Sequence, residues 1–290
     1  MAILKAEGVT YRYSIGTPFE KTAVDHVDVE IPAGAYVGLI GHTGSGKSTL
    51  IQHFNGLLQP TEGTVYLDGQ DIWAEGVSLR QIRFRVGLVF QYPESQIFEE
   101  TVYKDIAYGP TNMGLSEDEI RARVEGAADI VSLPHEMLEM SPFLLSGGQK
   151  RRVAIAGVMA MQPEVLILDE PTAGLDPRGR TEILREIERY REQTGSTIIL
   201  VSHSMEDVAQ HVENILVMNA GKVFCYDTVD RVFSRANELE KIGLAVPQIT
   251  RVCAVLREYG VPLRDDIYTV EQAKSQLLEI AHKGEGVDAC

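Results

Sequence analysis

The residues best equipped for chemistry begin at Gly41. Gly41-His42-Thr43-Gly44-Ser45-Gly46-Lys47-Ser48 fits GxxxxGK[ST] at every position. The stretch, which runs on into Thr49, follows a short apolar run, AYVGLI (35–40). It opens a segment that reads as a helix from Lys47 to about Gly56. Glycines let a backbone curl so that its N–H groups face inward at phosphates. In such a loop Lys47 neutralises β- and γ-phosphate charge, and the Ser48 hydroxyl is placed to ligate Mg²⁺.

A second anion cradle lies far along the chain. In LLSGGQKRRVAIAG (144–157), Ser146, Gly147, Gly148 and Gln149 precede a helical stretch. A helix N-terminus offers unpaired N–H groups to an anion. A phosphate loop also needs a carboxylate for its metal, and VLILDE supplies Asp169 at the end of a buried run. Glu170 follows at once, where it could polarise a water. Two cradles in one chain pose the question of why both are needed.

The elements that must hold these residues alternate in type. TAVDHVDVEI (22–31) alternates over Val27, Val29 and Ile31, and residues 1–40 read as strands. TVYLDG reads as a further strand. VGLVF (86–90), VLIL (165–168) and STIILVSH (196–203) are short apolar runs separated by helical stretches. Ser116 with Glu119 forms a capping-box pattern, and Ile183, Leu184, Ile187 and Tyr190 recur at helical spacing in DPRGRTEILREIERYREQ. The expected class is α/β with a largely parallel core sheet and an added antiparallel β-layer. After NAGKVFCYDTV the motifs stop. Two amphipathic helices are expected there, one over Ile249, Val252, Cys253, Leu256 and Tyr259. The other runs over Val270, Ala273, Leu277, Ile280 and Ala281. The division expected is 1–227 for the nucleotide-binding domain and 228–290 for a C-terminal helical, dimerising domain.

Composition narrows the partners. The chain has 290 residues and a net charge of −15, which disfavours nucleic acid and anionic lipid surfaces. No apolar run approaches the ~20 residues that span a bilayer, and MAILKAEGVTYRYS lacks a secretory signal pattern. A soluble intracellular chain without direct membrane insertion is expected. Cys225, Cys253 and Cys290 are widely spaced, without a CxxC pair, and read as free thiols.

Taken in order, the loop at 41–48, Gln91 after VGLVF, Leu145-Ser146-Gly147-Gly148-Gln149, LILDE with AGLD, and His203 after TIILVS resemble the ATP-binding cassette (ABC) ATPases. The resemblance spans roughly residues 3–227. It implies a P-loop NTPase fold with a RecA-like parallel-sheet core, an antiparallel β subdomain and a helical subdomain, here with a small helical C-terminal extension. It also implies that two such domains clamp ATP head to tail. The two cradles of one chain then serve two ATP molecules, Ser146 to Gln149 acting in trans. By the same resemblance Glu170, His203 and Gln91 are catalytic, and Ser48, Gln91 and Asp169 hold Mg²⁺. Asp176 couples the two sites and Tyr13 stacks on adenine, Tyr11 being the weaker candidate. AGLD carries Ala and Gly where many relatives have Ser and Ala.

The segment FQYPESQIFEETVYKDIAYGPTNMGLSEDE is similar to ATPases of energy-coupling factor importers, through Pro93-Glu94, Gln96, Phe98, Val102, Asp105 and AYGPTN. That resemblance implies an ATPase subunit on the cytoplasmic face of the cell membrane, powering uptake of vitamins or similar micronutrients. Its partners would be a second ATPase subunit (a paralogue or a copy of itself), a transmembrane coupling subunit and a substrate-binding membrane protein. Cobalt or nickel importer ATPases share the architecture. A soluble ABC protein of DNA repair or translation is the reading from another class, and the charge, the single cassette and the lack of a long coiled coil weigh against it.

Overall fold

The computed structural model describes residues 1–285. Its first layer is antiparallel: β1 (Ala2–Tyr13) pairs with β2 (Lys21–Pro32) and, on its other edge, with the strand Glu62–Leu67. Between these come β3 (Tyr36–Gly41) and α1 (Lys47–Phe54). The strand Glu62–Leu67 is β4, and a short β5 (Gln70–Asp71) completes the four-stranded sheet β2-β1-β4-β5. Helix α1 stops earlier than the pattern suggests, because Gly56 takes a left-handed φ of 66° just after the Asn55 cap.

Next are α2 (Leu79–Arg85) and β6 (Val86–Val89), then the helical layer of α3 (Val102–Met113), α4 (Glu117–Ile130) and α5 (Gly147–Met159). Helix α4 starts where the Ser116 pattern predicts, with both bonds of the capping box formed to Glu119. The chain returns through β7 (Val165–Asp169), α6 (Pro177–Thr194), β8 (Thr197–Val201), α7 (Met205–His211), β9 (Asn214–Asn219) and β10 (Lys222–Thr228). The second sheet has the order β10-β9-β3-β8-β7-β6. Its β9-β3-β8-β7-β6 pairs are all parallel, and β10 is an antiparallel edge that the sequence reading did not single out.

Side-chain alternation explains why this sheet is apolar throughout. Val37, Leu39, Val165, Ile167, Ile199, Val201, Leu216 and Met218 face the antiparallel layer. Tyr36, Ile40, Leu166, Leu168, Ile198, Leu200, Ile215 and Val217 face the helices. The sheet is thus a septum between two cores, and its strand ends carry the loops that hold the site.

The chain ends in α8 (Val229–Phe233), α9 (Ala236–Lys241), α10 (Gln248–Glu258) and α11 (Val270–Glu285). Val229, Val232, Phe233, Leu239, Leu244 and Val246 join the core on the helical side of the sheet. A separate small cluster of Cys253, Leu263, Ile267 and Ala273 follows, edged by Ile249, Leu256, Val261 and Ile280. The two expected apolar stripes therefore split. Cys253 and Ala273 are buried, whereas Val252, Tyr259, Val270, Leu277 and Ala281 are exposed. Cys225 and Cys253 are free, and burial raises both thiols above their ordinary pKa. Cys290 lies outside the described residues.

Candidate functional site

The Gly41–Ser48 loop leaves β3 and enters α1, and it is braced from behind. Gly221, in the β9–β10 turn, donates its N–H to Ser45 O at 3.0 Å, and Asp25 of β2 donates to Gly221 O at 2.9 Å. Gly46 has a φ of 101°, and a Cβ there would collide with Ala23 O. Glycine is needed at this position for both reasons.

Lys47 is 7% exposed. Its ammonium folds back to donate to Gly41 O at 2.6 Å and His42 O at 3.2 Å. Burial pulls its pKa below the ordinary lysine value, against the opposing pull of Glu170 and Asp169. Ser48 Oγ donates to Asp169 Oδ2 at 3.3 Å, closing the distance between α1 and the end of β7. Burial raises the Asp169 pKa, and the Ser48 bond and Lys47 act against that rise.

Glu170 leaves β7 with a φ of 54° and donates its N–H to Val201 O at 3.0 Å. This left-handed turn points its carboxyl into the cleft rather than continuing the strand. Oε1 is buried and lies 3.3 Å from His203 Nε2 without forming an aligned hydrogen bond. Burial pushes the Glu170 pKa up to about 7. Burial, and then Lys47, lower that of His203, which follows β8.

These residues converge on a cleft of about 340 Å³, lined by Thr43, Gly44, Lys47–Thr49, Gln91, Asp169, Glu170 and His203 together with Tyr13, Lys21 and Ala23 of the antiparallel layer. Tyr13 OH and Thr49 Oγ1 are 3.3 Å apart. Tyr11 lies deeper, edge-on between Tyr13 and the buried His53, at 4.8 and 5.0 Å between ring centroids. His42 is turned aside toward Asn219 Oδ1 at 3.1 Å.

A hydroxyl beside a single carboxylate suits a hard cation that also draws ligands from phosphate and water. Among the described residues no group of three or more His, Cys, Asp or Glu side chains could hold a metal alone. Ser48 and Asp169 thus fit Mg²⁺ arriving with a nucleotide.

Residues 146–149 take no part in that cleft. Ser146 caps α5, its Oγ accepting from Gln149 N while Gln149 Oε1 accepts from Ser146 N at 2.9 Å. Nothing lies within 4 Å of a Cβ built on Gly147 or Gly148, so these two glycines border open space. Asp176 caps α6, accepting from Gly179 N at 2.9 Å, and shares a separate pocket with Gly148.

Two further features lie outside the nucleotide cleft. A groove of about 510 Å³ lies between α2, α3 and α5, lined by Arg80, Phe84, Phe98, Tyr108 and Met161 among others. Phe98 and Tyr108 are about half exposed and meet edge-on at 5.0 Å. The other is Arg151 on α5, buried against segments distant in the chain. Arg151 stands between Lys150 and Arg152, so nothing in the sequence signals that it alone of the three is buried.

The family model described as "ABC transporter" matches residues 24–173. The energy-coupling factor transporter ATP-binding protein EcfA2 of Caldanaerobacter subterraneus subsp. tengcongensis is 54% identical, over 95% of this chain and 96% of its own length. Among solved structures, cbiO1 from Clostridium perfringens, titled as part of the ABC transporter complex cbiONQ, aligns with a TM-score of 0.74 and 38% identity. That alignment covers 88% of this chain and 99% of cbiO1. A dimeric ATP-binding cassette bound to ADP and Pi aligns with a TM-score of 0.70 at 29% identity, over 78% of this chain and 98% of its own.

Proposed function

The chain belongs to the ABC transporter family as the ATP-binding subunit of an energy-coupling factor transporter, and on that premise we propose that the cleft between Tyr13 and His203 hydrolyses MgATP to drive uptake of a vitamin or similar micronutrient. The observation that carries this reading is the convergence of Lys47, Ser48, Gln91, Asp169, Glu170 and His203 on one cleft from four strand ends, those of β3, β6, β7 and β8.

Tyr13 offers its ring to the adenine, and the 41–49 loop cradles the phosphates. Lys47 exchanges its two carbonyl partners for phosphate oxygens, which are stronger partners for a partly desolvated ammonium. Ser48, Asp169 and Gln91 would hold Mg²⁺, which supplies charge neutralisation between the β- and γ-phosphates. Glu170, with its raised pKa, accepts a proton from the attacking water or orients it. His203 donates toward the γ-phosphate.

The signature turn Ser146–Gln149 lines no part of the cleft of its own chain, which supports action on the ATP of a partner ATPase. Asp176, beside Gly148, is suited to pass the state of one site to the other. The aromatic groove of Phe98 and Tyr108 suits the end of a helix from a transmembrane coupling subunit. The exposed apolar residues of α10 and α11 suit a standing contact with the second ATPase, which supports a dimerising role for the chain beyond residue 228. Among the described residues no helix is long and apolar enough to cross a membrane. A place as a peripheral subunit on the cytoplasmic face is supported by the likeness to energy-coupling factor ATP-binding proteins.

The deciding experiment reconstitutes the chain with its membrane partners in vesicles and measures substrate uptake with MgATP inside the compartment that holds the ATPases. Uptake that needs ATP and vanishes with Lys47→Ala is expected. Uptake independent of this chain's nucleotide cleft refutes the reading.

A further inference from the structure

Arg151 lies on α5 just beyond the signature turn and is 4% exposed. Its Nε and Nη2 donate to Glu94 Oε2 at 3.0 Å and Oε1 at 2.8 Å, a two-pronged pair. Its Nη1 donates to Ala173 O at 2.6 Å and Pro171 O at 3.3 Å. Glu94 sits in the short 3-10 turn Pro93–Gln96, entered from Gln91 through Tyr92, whose φ is 54°. Pro171 and Ala173 belong to the segment that leaves Glu170 for the Asp176 cap.

One buried guanidinium therefore ties together three pieces of chain with different duties. These are the helix that presents Ser146, the segment that carries Gln91 into the cleft, and the segment that follows Glu170. The guanidinium fork is planar and rigid, so its bonds to Glu94 tolerate little sliding. When Gln91 or Glu170 shifts, Arg151 must follow or leave a buried cation without its partner. Its neighbour Arg152 donates to Glu182 at 2.7 Å and to the buried Glu186 at 3.0 Å, fastening the same helix to α6.

We infer that Arg151 is a positioning residue that carries the occupancy of the chain's own nucleotide cleft to its signature turn, and so to the ATP held by the partner. This rests on the ATPase reading above. A purely structural Arg151–Glu94 pair would hold the helical layer on the core and nothing more. Such a pair would not make exchange at the signature turn respond to nucleotide.

The test uses the full-length chain, at a dilution where sedimentation shows single chains, as wild type, Glu94→Gln and Arg151→Lys. Amide hydrogen exchange is followed over residues 144–152 with and without MgATP, alongside a fluorescent-nucleotide titration. The wild type should change exchange at the signature turn at least threefold on binding. Both variants should bind nucleotide within twofold of wild type and lose that change. In the complete transporter they should lower kcat about tenfold while KM stays nearly constant.

Glu94→Gln keeps the shape of a partly exposed side chain, so it serves even if Arg151→Lys fails to fold. Arg151→Lys keeps the charge and loses the fork. Variants that bind MgATP and alter exchange as the wild type does overturn the inference. So does a wild type that binds MgATP with no change at the turn. A wild type that fails to bind MgATP at all removes the ATPase reading itself and the inference with it.

Discussion

Ser48 Oγ donates to Asp169 Oδ2 at 3.3 Å, so a hydroxyl at the start of α1 and a carboxylate at the end of β7 face the same point. Replacing the hydroxyl leaves Asp169 without that donor but removes little packing, since Ser48 is exposed. Ser48→Ala is expected to change thermal stability by less than about 1 kcal/mol. It should raise the Mg²⁺ concentration needed for half-maximal hydrolysis at least severalfold. A Mg²⁺ titration of ATPase activity at fixed ATP checks this, and an unshifted midpoint removes Ser48 from the metal shell.

Glu170→Gln keeps the size of the side chain and removes its basicity. Hydrolysis should fall about 10²- to 10⁴-fold, the usual range for a general base, while ATP binding persists. Single-turnover measurements in the assembled transporter separate the two effects. Near-normal turnover at both sites would leave Glu170 without this role.

Ser146 has two duties that can be separated. As a helix cap, Ser146→Ala should cost about 0.5–2 kcal/mol of stability. As a trans contact, Ser146→Arg in one subunit should silence the partner's site and spare its own. In a defined heterodimer, pairing Ser146→Arg with a partner carrying Lys47→Ala puts both lesions in one composite site. Retained hydrolysis at the other site is the expected result, read by single-site nucleotide labelling. Loss of the mutated subunit's own site instead contradicts action in trans.

Glu186 makes stability fall as pH rises. It is buried between α5 and α6, where burial raises its pKa to about 7 against the pull of Arg152 and Arg189, with Glu182 adding to the rise. A carboxyl with a raised folded pKa contributes fully below its unfolded value and loses that contribution as pH climbs through about 7. From pH 5 to 8 the loss should be on the order of 1–3 kcal/mol. Glu186→Gln should flatten that slope, as seen by thermal melts of the nucleotide-free chain across the range. A variant with the same slope as wild type would assign the pH dependence to other groups.

The exposed apolar residues of α10 and α11 can be tested without cutting the chain. Val252→Asp with Leu278→Asp alters two side chains that are each about half exposed, and the small cluster around Cys253 is left intact. Nucleotide binding should be unchanged, and nucleotide-free association with the partner ATPase should weaken at least tenfold by sedimentation. Equal association would mean that these side chains serve their own unit alone.

Much of this molecule is readable before folding, for identifiable reasons. The loop at 41–48 and the capping box at Ser116 are local devices, and each needs only neighbouring residues to form. The short runs ending at Leu168 and Val201 could only be buried strands in a chain that alternates with helices. The Arg151–Glu94 pair joins residues whose spacing has no period, so no pattern announces it. The turn that aims the Glu170 carboxyl depends on a left-handed φ at a residue type that rarely takes one. Val229 to Val246 read as the start of an appendage, yet they pack into the core of the cassette because β10 delivers them beside β9.

The cleft has walls from both layers: Tyr13, Lys21 and Ala23 on one side, the 43–49 loop on the other. A molecule filling it is therefore a rivet through two layers that otherwise meet through apolar side chains and a few polar contacts such as Asp25 to Gly221. Its binding energy adds to the adhesion between the layers, so the hairpin of β1 and β2 should fray least when the nucleotide is in place. Each cycle of hydrolysis and release would then loosen the whole front of the molecule for a moment, and each new ATP would fasten it again.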